Sequence, residues 1–161
     1  TVVDMARRWE TDVIDVEHDW LFIMIGLNDV SFRHMDNLVD GAVTDEVYRE
    51  TYRRLLARVR EALSSKIVLI EPTPIFTDPQ HQCHEEMRTV CGIVAELAEE
   101  FGTELCRLHE RFYRRIMDYP ERTWMLDHVH PSFRGHGIIA SSILEHLGCG
   151  FARPHSSPQL R

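Results

Sequence analysis

Six apolar residues in succession, Trp20-Leu21-Phe22-Ile23-Met24-Ile25, run up to Gly26, and a near-continuous apolar stretch of that length predicts a strand buried on both faces. Ile67-Val68-Leu69-Ile70 repeats the pattern between Lys66 and Glu71-Pro72, and Glu104-Leu105-Cys106-Arg107-Leu108, behind the helix-stopping Gly102, is a third and weaker strand. Between them the period changes. From Thr44, a good N-cap followed by Asp45 and Glu46, the positions Tyr48, Tyr52, Leu55, Leu56, Val59 and Leu63 hold one helix face. Met87, Val90, Cys91, Val94, Ala98 and Phe101 hold a second, which Gly102 closes in a left-handed cap. A last helix runs from about Gly137 to Leu147, with Ile139, Ile143 and Leu147 on one side and Gly148 at its end. Alternation of strand and helix at this spacing implies parallel strands joined by right-handed crossovers. The fold class is therefore α/β, a three-layer α/β/α sandwich with a parallel, flavodoxin-like sheet. In such sheets the sites form beyond the carboxyl ends of the strands, which here means after Ile25, Ile70 and Leu108.

The length of 161 residues fits one domain, since chains usually divide into separate cores only beyond about 250 residues. Residues 1–148 form that domain, and 149–161, with Pro154 and Pro158, form an irregular C-terminal tail. Eighteen basic against 26 acidic residues give a net charge of −8, which argues against a nucleic-acid backbone or an anionic membrane as partner. Lys66 is the single lysine; the arginines are spread along the helices. Cys83, Cys91, Cys106 and Cys149 show no C-x-x-C spacing, so no zinc ribbon or dithiol is expected, and four reduced, mostly buried thiols favour a reducing, cytoplasmic location. The first residues carry no secretory signal and run straight into an amphipathic pattern.

Two segments carry chemistry. Gly26-Leu27-Asn28-Asp29 directly follows the first apolar run, where polar side chains need defined partners; the plainer reading is a tight turn in which Asn or Asp bonds its own backbone. Asp127-His128-Val129-His130-Pro131 is the second. Pro131 keeps His130 out of the helical region, and an acid three residues earlier can reach Nδ1 and leave Nε2 free as a base. That is the orienting half of a nucleophile–His–Asp triad; the alternative is a histidine that merely pairs with a neighbouring carboxylate. His128 and His136 invite a metal reading, but no further ligands follow at metal-site spacing, so no metal is expected. His81-Gln82-Cys83-His84 reads as the exposed entry to a helix. With no Gly-x-Gly-x-x-Gly and no Walker loop, a nucleotide cofactor lacks support. Trp124 and Tyr119, near the His130 loop, are candidates for an acyl pocket or for core.

Together these segments resemble the SGNH hydrolases, the GDSL-type esterases and lipases. Gly26-Leu27-Asn28-Asp29 is similar to that family's Gly-x-Asn-Asp block, Asp127-His128-Val129-His130-Pro131 to its Asp-x-x-His-Pro block, and Gly135-His136-Gly137-Ile138-Ile139-Ala140 to the start of its last helix. The resemblance implies a serine ester hydrolase acting through an acyl-enzyme on a small acyl or acetyl ester, without cofactor. It makes His130 the general base, Asp127 its orienting acid and Asn28 an oxyanion donor, with Asp29 holding the turn. The family's Gly-Asp-Ser nucleophile block and second oxyanion glycine are not found. None of Ser31, Ser64, Ser65, Ser132, Ser141, Ser142, Ser156 and Ser157 stands in such a setting. A sheet without the strand that bears that block would expose unpaired edges and an apolar slot. The expectation is accordingly an incomplete record of a longer protein, or a fragment that needs an N-terminal partner segment. The alternative function is a catalytically inactive SGNH-fold fragment or binding module lacking its nucleophile.

Overall fold

Residues 1–34, 42–74, 78, 81–120, 122–127 and 129–149 are described by the computed structural model. The three apolar runs become β1 (Trp20–Met24), β2 (Lys66–Ile70) and β3 (Glu104–Cys106), hydrogen-bonded in parallel in the order β1-β2-β3. β2 is the central strand among the described residues, and its side chains alternate between two cores. Ile67 and Leu69, with Ile23 of β1, face a layer built from α1 (Val2–Arg7), α3 (Asp45–Ala62) and α4 (Cys83–Phe101). Val68 and Ile70, with Cys106 of β3, face α5 (His109–Asp118) and α6 (Phe133–His146), where Phe112, Ile116, Ile138 and Ile139 are buried. A parallel sheet covered by helices on both sides is the three-layer arrangement that the alternation predicts. A short helix, α2 (Leu27–Ser31), follows β1 directly.

The caps match their sequence signals. Thr44 Oγ1 accepts from the Val47 amide at 3.2 Å at the start of α3, and Gly102 closes α4 at φ 58°. Elsewhere the structure departs from the pattern. β1 is not buried on both faces: Trp20, Phe22 and Met24 are 40, 40 and 44% exposed. In the register Phe22↔Val68 and Met24↔Ile70 these side chains continue the face that α5 and α6 cover, but those helices stop over β2 and β3. Trp20 stacks on Phe22 with ring centroids 5.8 Å apart, and Lys66 Nζ lies 4.6 Å above the Trp20 ring. Helix α4 starts a turn before Met87, so Cys83 and His84 are buried and do not form an exposed entry. The cause is local: His84 Nε2 donates to the Asp78 carbonyl at 2.7 Å, and its ring packs edge-on against Tyr113. Likewise α6 begins at Phe133 and not near Gly137, because Ser132 caps it by accepting from the Gly135 amide at 3.3 Å. Trp124 is core and donates Nε1 to the Tyr119 carbonyl.

Cys83, Cys91 and Cys106 are buried free thiols and Cys149 is an exposed one. Among the described residues no helix is long and apolar enough to cross a membrane. His128 and 150–161, nearly all of the predicted tail, lie outside the described residues.

Candidate active site

Both candidate segments end up at the carboxyl edge of the sheet. After Met24 the chain must turn at once, and Gly26 makes the turn at φ 127°, a conformation that suits glycine. A Cβ there would stand 2.8 Å from Val90 Cγ1 and 3.0 Å from the Tyr48 hydroxyl. That hydroxyl donates to the Ile25 carbonyl at 3.0 Å, which fixes the last residue before the turn. Asn28 therefore emerges in the first turn of α2, exposed. Asp29 points the other way and is fully buried, and its carboxylate accepts from the Val2 amide at 2.9 and 3.2 Å. It thus ties the first turn of α1 to α2, a wider duty than holding its own turn. Burial pushes its carboxyl up, against the opposing pull of the Val2 bond.

Asp127 and His130 come together in a tight hairpin. Met125 and Pro131 form an antiparallel bridge, with Leu126 N to His130 O at 2.7 Å and Ser132 N to Trp124 O at 2.9 Å. Within it Asp127 Oδ1 accepts from the Val129 and His130 amides, each at 2.8 Å, and Oδ2 lies 2.7 Å from His130 Nδ1. A carboxylate partner assigns the proton to Nδ1, leaving Nε2 with a lone pair. The Val129 amide, then the His130 ring and amide, hold the Asp127 carboxyl well below the usual carboxylate range. The His130 side chain is 72% exposed, so the free nitrogen faces solvent. The hairpin rests on α6. Ser132 Oγ donates to the Thr123 carbonyl at 2.6 Å while capping the helix, and Gly135 lets the first helical turn pass against the Trp124 carbonyl.

Between the two segments lies an apolar cavity of about 280 Å³, lined by Leu27, Asn28, Pro72, Val129, Pro131 and Ile139 among others. Asn28 stands on one side, and Val129 and Pro131, the neighbours of His130, on the other. A second cavity, about 400 Å³, runs along the free edge of β1 under α1, from Thr1 and Trp9 to Asn28. Trp9 is 4% exposed, and its Nε1 has no hydrogen-bond partner among the described residues. Four of the described serines are otherwise engaged. Ser65 donates to His18 O, Ser132 to Thr123 O, and Ser141 and Ser142 to Ile138 O. Among the described residues no hydroxyl bonds to His130 Nε2. His136 lines the apolar cavity, and no group of three or more potential metal ligands occurs among the described residues. Sequence reasoning expects an apolar slot at an unpaired edge but does not name Trp9, which lines this cavity.

A parallel α/β sandwich with an Asp–His pair and an asparagine at its carboxyl edge is the arrangement expected from the resemblance to acylhydrolases. The chain belongs to the GDSL-like lipase/acylhydrolase family, whose pattern it matches over residues 1–138. An acetylxylan esterase of Geobacillus stearothermophilus is 31% identical over 155 residues, 95% of this chain and 70% of that protein. Its crystal structure superposes with a TM-score of 0.84 at 30% identity, covering 95% of this chain and 71% of that one. Forms of that esterase described as catalytic mutants replace a serine, an aspartate and a histidine by alanine, the last two spaced as Asp127 and His130 are. An alpha/beta hydrolase enzyme from the metagenome of Lake Arreo, Spain, matches with a TM-score of 0.85 at 29% identity, covering 94% of this chain and 70% of that one.

Proposed function

We propose that the protein hydrolyses small acyl esters through an acyl-enzyme, with acetyl esters of carbohydrates as the substrate class its esterase relative suggests. The observation that carries this reading is the Asp127–His130 pair, oriented by three contacts of 2.7–2.8 Å beside an apolar cavity that Asn28 borders. Asp127 keeps the proton on Nδ1 and stabilises the imidazolium, and His130 Nε2 takes the proton of a serine hydroxyl as it attacks the ester carbonyl. The Asn28 amide donates to the oxyanion of the tetrahedral intermediate. His130 then returns the proton to the leaving alcohol, and water repeats the sequence to release the acid. The cavity beside Asn28 takes the acyl group; its modest volume suits a short one.

The serine, in this reading, is carried by a further strand that pairs with the free edge of β1. Three features support this: the edge of β1 that no described strand pairs with, the cavity along it that ends at Asn28, and the buried Trp9 Nε1, which has no acceptor among the described residues. For the 161-residue chain alone, the lack of any described serine hydroxyl bonded to His130 Nε2 favours the non-catalytic reading, a scaffold that binds without turning over.

Hydrolysis of p-nitrophenyl acetate, with fluorophosphonate labelling read by intact mass, tests both parts. The full-length protein should take one adduct, and His130→Ala should lower kcat/KM by about 10³-fold or more. Asn28→Ala should lower kcat by about 10²–10³-fold with little change in KM. The 161-residue chain should take no adduct. Hydrolysis that survives His130→Ala unchanged would overturn the proposal.

A further inference from the structure

On the flank of α6 turned away from the candidate active site, a cavity of about 280 Å³ is lined by Arg111, Arg115, Arg122 and Arg134 with Trp124, Gly137, Ile138 and Ser141. Positions 134, 137, 138 and 141 share one helix face, whereas His136 and Ile139 line the cavity beside Asn28. The helix therefore separates the two sites. Among the described residues no aspartate or glutamate lines the arginine cavity, although the chain carries a net charge of −8.

On α3 several arginines are paired: Arg49 with Glu96, Arg53 with Glu100, Arg58 with Glu10. Within the cavity, Arg111 is clamped by Glu145 and also reaches Ser141, and the Arg122 guanidinium lies 4.6 Å over the Tyr119 ring. These contacts hold both guanidinium groups in place. Arg115 and Arg134 have no acidic partner among the described residues. An anion between Arg115 and Arg134 would relieve the repulsion of two like charges, and a guanidinium fork matches the geometry of carboxylate and phosphate oxygens. Gly137 lies among these guanidinium groups. A glycine inside a helix is unfavourable, and a Cβ there would meet nothing within 4 Å, so packing does not demand it; its lack of a side chain keeps the cavity open.

We infer that this cavity is a binding site for a small oxyanion, the carboxylate or phosphate of a compact ligand, gripped by Arg115 and Arg134 with Arg111 and Arg122 supporting. The inference does not depend on the reading of ester hydrolysis.

Isothermal titration of the protein at low ionic strength with inorganic phosphate, with D-glucuronate and with glucose tests it. Saturable binding of phosphate, glucuronate or both is expected, each result naming the oxyanion accepted, with no binding of glucose. The double variant Arg115→Gln/Arg134→Gln should weaken binding at least tenfold. Gly137→Glu, which puts a carboxylate among the guanidinium groups, should abolish it. Arg54→Gln, at an exposed arginine of α3, should leave it unchanged. If the double variant fails to fold, Gly137→Glu alone decides, since its side chain enters open space. Absence of saturable binding to either anion, or equal affinities in wild type and Gly137→Glu, would overturn the inference.

Discussion

At Gly135 a Cβ would stand 2.4 Å from the Trp124 carbonyl, 2.9 Å from Pro131 Cβ and 3.1 Å from the Phe112 ring. All three neighbours are fixed, the first by its own bond to the Ser132 amide. Gly135→Ala must therefore push the hairpin off α6, costing about 1–3 kcal/mol in urea unfolding and lowering ester hydrolysis through displacement of His130. Asp127→Asn makes the contrasting case. Its side chain is 52% exposed, so the melting temperature should hardly move while kcat falls by about 10⁴-fold through the wrong imidazole tautomer. The legibility of such residues follows their reach. Asp127 and His130 are partners three positions apart, so local chain geometry announces them. Asp29 bonds to Val2, 27 residues away, and nothing in its neighbourhood names that partner.

Among the elements, strands β2 and β3 and helices α3 and α4 follow from apolar spacing, because each buries one regular face. Helix α5 escapes that reading. Of its ten residues only His109, Phe112 and Ile116 are buried, too few apolar positions to stand out among five charged neighbours. The start of α6 was obscured by Gly135 and Gly137, and the Ser132 hydroxyl decides it. Ser132→Ala removes both the cap and the bond to Thr123, and should lower stability by about 1–2 kcal/mol in chemical denaturation. The apolar run of β1 announces a strand but not its surroundings, because burial on its second face depends on helices far along the chain. With Phe22 40% exposed, Phe22→Thr should leave the melting temperature of the 161-residue chain within a few degrees. It should also reduce concentration-dependent light scattering, since exposed apolar edge strands promote self-association.

For the molecule as a whole, acid sensitivity is built into the junction between α4 and α5. His84 and His109 are 3 and 4% exposed; burial foremost lowers the pKa of each below the usual 6.5. Around His84 stand Asp78, His81 and Arg88, and around His109 stand Glu71, Arg88 and Glu110. Both rings are neutral in the folded state, with His84 Nε2 donating to Asp78 O and His109 Nδ1 to Pro72 O. The unfolded chain binds these protons more readily, so stability is full above about pH 6.5 and is lost as pH falls towards the depressed values. The slope is at most about 1.4 kcal/mol per pH unit for each proton. Urea midpoints at pH 7.5 and 5.5 should show the loss, and His84→Gln should shrink it. The hairpin behaves differently. Every bond that orients the acid–base pair closes between Trp124 and Ser132, whereas Asn28 is placed through Gly26, Tyr48 and the Asp29 link to Val2. The proton-handling half of the site is thus a short cassette that can be grafted between scaffolds as one piece, while the oxyanion half is inherited only with the architecture around it.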